Sequence, residues 1–189
     1  MTGIDRAAAE ELIAARLSPR RRDHAHRVAA EAVVLAGRFG ASTEAAEVAG
    51  LLHDYCREVP DQEILAAAAS HGIVVGPVEA RRPKKILHGP VAAAELLDLD
   101  LDPEIAAAIR LHTVGDAGMT VLEKCLYLAD YLEPGRDFPG IDQVRALAEK
   151  SLDVAVGAAA RLSLLDIIGR GRGVVPGALA LYNEIHAGH

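Results

Sequence analysis

The run Ile73-Val74-Val75 is the only stretch of the sequence that resembles a β-strand. Elsewhere, apolar residues recur three or four positions apart, which is the spacing of one face of an α-helix. Apolar residues make up 51% of the chain but aromatic residues only 3%, so alanine and leucine must fill most of the core. The pattern predicts an all-α fold, and 189 residues suit one domain that buries about 70% of its unfolded surface.

Charge and hydropathy argue against several classes of protein. A formal net charge of −7 argues against a protein that coats nucleic acid or an anionic membrane, although a local cluster of cations could still bind an anionic small molecule. No apolar run is long enough to span a membrane, and the N-terminus lacks the apolar core of a signal peptide. Cys56 and Cys125 lie in apolar helical contexts and are expected to be buried free thiols. We therefore expect a cytoplasmic protein.

Capping residues and chain breakers set the expected helix boundaries. Helices are expected to begin near Ile4, Arg20, Thr43, Pro60, Gly89, Asp102, Thr120, Asp142 and Gly177. The segment 73–85 contains two prolines and a basic cluster, and is expected to be a surface loop. Because proline suits the first helical position, Gly89-Pro90 is expected to open the next helix, which places His88 just ahead of a helix N-terminus.

The adjacent pair His53-Asp54 is the least ordinary feature of the sequence. It closes a helix and points away from the apolar stripe that contains Leu51 and Leu52. The small residues Ala46 and Gly50 share the face of the pair, which predicts that the helix is packed closely on both sides and that the pair is buried. A buried imidazole beside a buried carboxylate needs partners, and a metal ion satisfies both. The alternatives are an ion pair at a helix end or a solvated cap.

Helical periodicity separates candidate ligands from the other histidines. His24 continues the buried stripe that includes Val28, whereas His26 lies about 200° round the same helix and should face solvent. His112 extends the apolar stripe of a later helix, and Asp130 borders an apolar arc. The histidines set aside by their position are His26, His71, His186 and His189. The candidates that remain are His24, His53, Asp54, His88, His112 and Asp130.

These six residues have the chemistry of a transition-metal site. Without partners, each buried imidazole or carboxylate would cost roughly 1–3 kcal/mol, and more when charged. A mixture of imidazole and carboxylate favours Mn, Fe, Zn or Co over Ca, which prefers oxygen ligands alone. The six exceed the needs of one tetrahedral ion, so we expect a two-metal cluster bridged by Asp54. Such a pair can hold a hydroxide for in-line attack on phosphorus.

The same residues resemble those of a known family. Their order is similar to that in the HD-domain metal-dependent phosphohydrolases, and longer motifs resemble one branch, the YqeK-type symmetrical bis(5′-nucleosyl)-tetraphosphatases. The resemblance extends from about Arg20 to Tyr182-Asn183. The motifs that carry it are Arg21-x-x-His24, Leu52-His53-Asp54-Tyr55, Leu87-His88-Gly89-Pro90-Val91, Ala107-Ala108-Ile109-Arg110-x-His112-Thr113-x-Gly115 and Leu128-Ala129-Asp130-Tyr131-Leu132-Glu133-Pro134-x-Arg136-x-Phe138-Pro139-Gly140.

The resemblance implies a fold, an activity and a metal. The fold would be a compact single-domain helical HD bundle over residues 1–189, with a motif-bearing core at about 20–140 and C-terminal helices at about 141–186. The activity would be cleavage of diadenosine tetraphosphate into two ADP by a metal-bridging hydroxide, with His53 and Asp54 at the catalytic centre. Two metal ions are implied, with iron expected and Mn, Co or Zn as alternatives. Their ligands would be His24, His53, Asp54, His88, His112 and Asp130.

Cationic residues near these motifs are candidates for binding phosphate. Arg136 is the main candidate, with Lys124 and Arg57 as further candidates. The alternatives are an ion pair between Arg136 and Glu133, and solvated side chains for the other two. Arg57 stands where the family usually has lysine, and Asp116 stands where it usually has a basic residue. These departures bear on the substrate rather than on the class of reaction.

Two other functions stay open at this point. The protein could be a nucleotidase or phosphodiesterase of the same superfamily that acts on another nucleotide. It could also be a non-catalytic nucleotide-binding sensor whose metal is structural or absent. The expected partner is a nucleotide substrate or product, such as diadenosine tetraphosphate, ADP or GDP. Binding to nucleic acid or to a membrane is not expected, and a homodimer is an open alternative.

Overall fold

The chain folds into helices joined by turns and loops, which a computed structural model describes for residues 3–187. Within that range there are eleven helices and no β-strand, which confirms the predicted all-α fold. The strand-like run Ile73-Val74-Val75 belongs to no regular element. The helices are α1 (Arg6–Arg16), α2 (Pro19–Phe39), α3 (Thr43–Leu52), α4 (Asp61–Ser70), α5 (Pro77–Ala80), α6 (Pro83–Leu97), α7 (Pro103–Leu111), α8 (Val121–Leu132), α9 (Ile141–Ala148), α10 (Leu152–Gly169) and α11 (Pro176–His186).

Helices α2, α3, α6, α7 and α8 form the centre of the fold. The closest approach is between α2 and α3, where a Cβ atom added at Gly50 would lie 2.4 Å from the Cα atom of Ala29. Only glycine fits at this crossing. The remaining helices surround the centre: α1 packs on α3, α4 and α5 on α6, α9 and α10 on α8, and α11 on α10.

Several helix ends have the caps that the sequence predicts. Gly40 ends α2 in the left-handed region, with φ at 80°, where a residue with a side chain would be strained. The hydroxyl oxygen of Ser42 accepts a hydrogen bond at the start of α3, and the carboxylate of Asp102 does the same for α7. Thr120 and Glu123 form a complete capping box at the start of α8. These caps fix where the site-bearing helices begin and end.

The structure corrects the prediction for the segment that precedes His88. The expected loop at 73–85 contains the short helix α5, and α6 begins at Pro83 rather than at Gly89-Pro90. Pro90 lies inside α6, where it cannot donate to the Ile86 carbonyl. The helix continues because Leu87 and Val91, on either side of this position, are both buried on one face. His88 therefore projects from the flank of a helix and does not precede one.

Both cysteines match the prediction. Cys56 and Cys125 are buried free thiols, and burial raises the pKa of each to about 12.

The helical region that the sequence predicts from about 142 to 168 is divided into two helices, α9 and α10. No helix in the described part of the chain is long and apolar enough to cross a membrane.

Candidate active site

The side chains predicted as metal ligands meet at the centre of the fold. His24 projects from α2, and His53 and Asp54 follow the last residue of α3. His88 comes from the flank of α6, His112 from the end of α7, and Asp130 from within α8. All are buried except Asp130, whose side chain is 22% exposed. The six residues are His24, His53, Asp54, His88, His112 and Asp130.

The imidazole rings point their Nε2 atoms towards one another. His24 Nε2 lies 3.3 Å from His53 Nε2 and 3.1 Å from Asp130 Oδ1. The rings of His53 and His112 stand edge to face, with centroids 5.0 Å apart. His112 Nε2 in turn lies 3.0 Å from His88 Nε2. The rings thus form a continuous row from α2 to α6.

Asp54 lies between the two ends of this row. Its Oδ1 atom is 3.1 Å from His88 Nε2, while its Oδ2 atom is 3.7 Å from His24 Nε2. Arg21, which sequence analysis did not select, donates to Asp54 Oδ2 at 2.8 Å. Burial raises the pKa of Asp54, but the interactions with His53 and His88 outweigh burial and hold the pKa well below its usual range. Asp54 is therefore an ionised carboxylate with one oxygen towards each end of the row.

Hydrogen bonds fix the tautomers of two of the rings. His53 Nδ1 lies 2.7 Å from the Gly50 carbonyl oxygen, and His112 Nδ1 lies 2.7 Å from that of Ile109. Since a carbonyl oxygen only accepts, both Nδ1 atoms carry the proton. Burial lowers the pKa of both rings, that of His112 to about 4, so both are neutral near pH 7. His88 Nδ1 has no hydrogen-bond partner among the described residues, whereas His88 Nε2 lies 3.1 Å from Asp54 Oδ1.

This donor set fits a metal ion. The unprotonated Nε2 atoms of His53 and His112, together with the carboxylates of Asp54 and Asp130, bring a surplus of electron-pair donors to one place. One ligand atom each from His24, His53 and Asp130 lie within 4.8 Å of one another, as do those of His53, Asp54 and His112. A cation satisfies such a group of lone pairs.

Glu133 is part of the site, although sequence analysis treated it only as a partner for Arg136. Its carboxylate is 3% exposed, with Oε1 3.2 Å from His24 Nδ1. Arg27 and the Gly135 backbone N–H also donate to it. Burial raises the pKa of Glu133, but the hydrogen bonds from Arg27, Gly135 and His24 outweigh burial and lower it. The sequence did contain one indication that Glu133 belongs to the site, because Glu133 follows Asp130 by one helical turn.

Arg136 lies directly beside the cluster. Its Nη2 atom donates to Asp130 Oδ1 at 2.5 Å, and its Nε atom donates to the Asp130 carbonyl oxygen at 3.0 Å. The ion pair with Glu133 that sequence analysis kept as an alternative is longer, at 3.7 Å. The Arg145 side chain donates to the Arg136 carbonyl oxygen and so holds the loop in place. Arg136 therefore presents a positive charge at the edge of the cluster.

The two further candidate cations differ in position. Arg57 Nε lies 3.7 Å from Asp54 Oδ1, so this partly buried side chain reaches the cluster. Burial lowers the pKa of Arg57 more than the charge of Asp54 raises it. Lys124 instead donates to Asp153 at 2.8 Å and does not line either cavity at the site. The structure thus brings Arg57 to the cluster and leaves Lys124 apart from it.

Two connected cavities open from the cluster. A cavity of about 220 Å³ reaches His112 and Asp130 directly. A groove of about 760 Å³ shares several residues with it and runs outwards. The residues that line both are Thr113, Tyr127, Tyr131, Arg136, Phe138 and Ser163. The cations that line the groove are Arg57, Arg82, Lys85, Arg136, Arg170 and Arg172. A strongly positive groove therefore leads to the cluster in a chain whose net charge is −7.

The described residues that were set aside or doubted in the sequence are not part of this cluster. The exposed His26 ring faces Glu10 on α1, as its helical position predicts. His71 ends α4 and His186 lies in the last turn of α11, while His189 lies outside the described residues. Asp116 accepts a hydrogen bond from the Ala117 backbone N–H and does not line the groove.

Comparison with known proteins identifies the family. The HD domain model matches residues 21–135. The symmetrical bis(5′-nucleosyl)-tetraphosphatase of Bacillus subtilis is 34% identical over 98% of this chain and 100% of that protein, and its namesake from Staphylococcus aureus is 34% identical over 85% and 84%. The crystal structure of an HD superfamily hydrolase from Clostridium acetobutylicum, described as involved in NAD metabolism, superimposes with a TM-score of 0.92 at 28% identity over all of both chains. The chain belongs to the HD domain family and, within it, to the family of symmetrical bis(5′-nucleosyl)-tetraphosphatases.

Proposed function

We propose that this protein is a metal-dependent hydrolase that cleaves diadenosine tetraphosphate symmetrically into two ADP. The names of the relatives support this activity. This proposal rests on one observation above all: the histidine–aspartate cluster opens into a groove. Six cationic side chains line that groove in the described part of the chain. A buried metal-binding cluster beside a positive groove suits a substrate with a chain of phosphates.

We propose that the metal ligands are the six residues of the cluster: His24, His53, Asp54, His88, His112 and Asp130. The orientation of the Asp54 oxygens, one towards His88 and the other towards His24, supports a bridging position between two ions. Iron is the expected metal, with Mn, Co or Zn as alternatives, since all accept imidazole and carboxylate ligands. When bound, such ions lower the pKa of water and offset negative charge on phosphate oxygens.

The protein residues around the cluster bind and orient the substrate. Arg136 and Arg57 are placed to neutralise the phosphate oxygens nearest the cluster. The rings of Tyr131 and Phe138, whose centroids are 5.0 Å apart, offer an aromatic surface for a base. Lys124 remains the weakest candidate because Asp153 already neutralises its charge. His53 and Asp54 form the catalytic centre in this proposal, with Arg21 holding Asp54 in place.

The products of the reaction test the proposal. Purified protein supplied with Fe, Mn, Co or Zn is mixed with diadenosine tetraphosphate, and the products are separated by chromatography. ADP alone is the expected product. AMP together with ATP would show asymmetric cleavage and overturn the proposal, as would no turnover with any of the four metals. Elemental analysis in parallel should give close to two metal ions per chain.

The other candidate functions become outcomes of a wider screen. The similar hydrolase from Clostridium acetobutylicum is described as involved in NAD metabolism, which makes a different nucleotide worth testing. Faster turnover of a mononucleotide or a cyclic dinucleotide than of diadenosine tetraphosphate would favour another nucleotidase or phosphodiesterase. Tight nucleotide binding without turnover would favour a sensor. Asp116, which stands where the family usually has a basic residue, does not line the groove.

We also propose that residues 1–189 act as one HD domain, with the motif-bearing core at about 20–140 and the C-terminal helices at about 141–186. The groove supports this, because it is lined both by core residues such as Arg57 and by C-terminal residues such as Arg172. Two buried free thiols support a cytoplasmic location. The homodimer stays a prediction.

A further inference from the structure

The groove carries a group of cations that do not reach the metal-binding cluster. Arg82 and Lys85 lie at the start of α6, and Arg170 and Arg172 follow the end of α10. All four line the groove, but none lines the smaller cavity beside His112 and Asp130. We call these four residues the rim cluster. Its members come from two segments that are about 85 residues apart in the sequence but share one groove.

The segment after α10 packs against α5, which immediately precedes the other segment of the rim cluster. A Cβ atom added at Gly173 would lie 2.8 Å from Val78 Cγ2, so the loop after α10 directly contacts α5. Gly171 has a φ of 62°, which reverses the chain between Arg170 and Arg172 and which a residue with a side chain would adopt only with strain. Packing of the backbone therefore holds the loop that carries Arg170 and Arg172 beside α5, which precedes Arg82 and Lys85.

The positive charge of the rim cluster is mostly uncompensated. No carboxylate among the described residues lies within 4.0 Å of the side-chain nitrogens of Arg82, Lys85 or Arg172, and only Arg170 has an ion pair, with Asp166. The charge of Arg82, together with burial and the charges of Arg57, Arg172 and Arg170, lowers the pKa of Lys85. Like charges held together in this way repel one another, and an anion in the groove would relieve that repulsion.

The location of the rim cluster indicates which anion it binds. Arg57 and Arg136 lie beside Asp54 and Asp130 and, in the proposed function, bind the phosphate oxygens nearest the cluster. A substrate with a single phosphate would therefore leave the rim cations unused. A chain of phosphates that continues past the reacting phosphorus would reach them. The groove volume of about 760 Å³ lies within the range of about 300–1,000 Å³ that is usual for ligand pockets.

We propose that the rim cluster binds the phosphates of the more distant half of a dinucleoside polyphosphate, and so makes the enzyme select long phosphate chains over mononucleotides. This inference rests on the proposed function, because it assumes a substrate with phosphates on both sides of the bond that breaks. Arg82 and Lys85 carry most of the effect, since both are free of ion pairs among the described residues and lie within one turn of each other at the start of α6.

A matched pair of double variants tests this role. R82A/K85A removes two charges that line the groove, and R81A/K84A removes two charges from neighbouring positions that do not line it. Binding of a diadenosine tetraphosphate analogue with a methylene group between its central phosphates is measured by calorimetry, beside KM for diadenosine tetraphosphate and the binding of ADP. In R82A/K85A, we expect analogue affinity to fall and KM to rise about tenfold, and ADP binding to change less than threefold. In R81A/K84A, analogue affinity, KM and ADP binding should all stay within about twofold of the wild-type values.

The outcomes separate this inference from the proposed function. Equal losses in the two double variants would show a general effect of charge and overturn the inference, as would an unchanged affinity in R82A/K85A. Restoration of analogue binding in R82K/K85R would support it, because that variant keeps both charges. If the wild-type protein binds the analogue through Arg82 and Lys85 but does not hydrolyse diadenosine tetraphosphate, the proposed function fails, while binding of the phosphate chain by the rim cluster is supported.

Discussion

The Glu133 carboxylate contacts His24 on the side of the ring that faces away from the cluster, with Oε1 3.2 Å from Nδ1. Its other oxygen accepts from Arg27 at 2.6 Å, so that Arg27, Glu133 and His24 form a chain of contacts that ends at the cluster. A carboxylate in this place fixes the orientation and the tautomer of a ligating imidazole and makes it a better electron donor.

Replacement of Glu133 by glutamine should therefore weaken metal binding. The neutral amide keeps the shape of the side chain but loses the charge that favours a protonated Nδ1, and we expect a fall in metal affinity of about 10- to 100-fold. Competition with a chelator measures this directly. The control is Glu123→Gln, which changes another buried carboxylate of α8 that belongs to the capping box. Equal metal affinity in the two variants would contradict the role given to Glu133.

Asp54→Ala should abolish both metal binding and hydrolysis. Asp54 is the proposed bridge between the two ions. Its replacement should therefore lower metal affinity by more than roughly 100-fold, which is the usual upper limit for residues that hydrogen-bond to a ligand. His26→Ala is the control, since His26 lies on the same helix as His24 but faces α1. Metal content and turnover are measured for both. A loss of metal in His26→Ala would show that the assignment of faces on α2 is wrong.

The metal-free protein should lose stability when the pH falls below neutral. Burial lowers the pKa of His112 from 6.5 to about 4, so between these pH values the unfolded chain binds a proton that the folded chain does not. The contribution of His112 to the free energy of unfolding is complete above pH 6.5. It is lost progressively towards pH 4, by up to roughly 3 kcal/mol. Asp54 and Asp130, whose pKa values are held low, lose their contributions at lower pH.

Chemical denaturation of chelator-treated protein over this pH range measures the effect. In His112→Gln, which has no titrating group at this position, the free energy of unfolding should depend less steeply on pH between 6.5 and 4. His26→Gln should retain the wild-type slope, because the His26 ring is exposed. Identical slopes in the wild type and in His112→Gln would exclude a buried neutral His112 as the source of the pH dependence.

The sequence predicted the positions that depend on helical period and capping. His24, His112 and the solvent-facing His26 follow from spacing along amphipathic helices, and the structure places them accordingly. The prediction that His88 lies just ahead of a helix N-terminus was wrong, because Pro90 resembles a helix start but lies inside α6. The packing of Leu87 and Val91 into the core outweighs the hydrogen bond that Pro90 removes, and this packing energy is a tertiary effect that spacing does not reveal.

The residues that support the ligands could not be predicted in the same way. Glu133 and Arg21 reach His24 and Asp54 across contacts between helices, at sequence separations of 109 and 33 residues. Contacts over such separations leave no periodic signal of their own, although Glu133 does follow Asp130 by one helical turn. The positive groove could not be predicted from the sequence either, since its cations come from segments that only the folded chain brings together. Local patterns therefore identify the candidate ligands, whereas the residues that surround and orient them require the tertiary structure.

The crossing of α2 and α3 sets the distance between two of the proposed ligands, and Gly50 controls that crossing. In Gly50→Ala, the new Cβ atom would lie 2.4 Å from the Cα and 2.7 Å from the backbone nitrogen of Ala29, so one helix must move. We expect overpacking to reduce the free energy of unfolding by about 1–3 kcal/mol. Metal affinity should fall as well, because the displacement separates His53 from His24, whose Nε2 atoms are 3.3 Å apart.

A second glycine, on α2, supplies the matched control for this prediction. A Cβ atom at Gly37 would meet only Thr43 Cγ2 at 3.7 Å, an ordinary contact. Gly37→Ala should therefore raise stability by roughly 0.5–1 kcal/mol through its higher helix propensity, and leave metal affinity unchanged. Thermal denaturation and chelator competition on both variants give the comparison. If Gly50→Ala binds metal as tightly as Gly37→Ala, the spacing of α2 and α3 does not determine the geometry of the cluster.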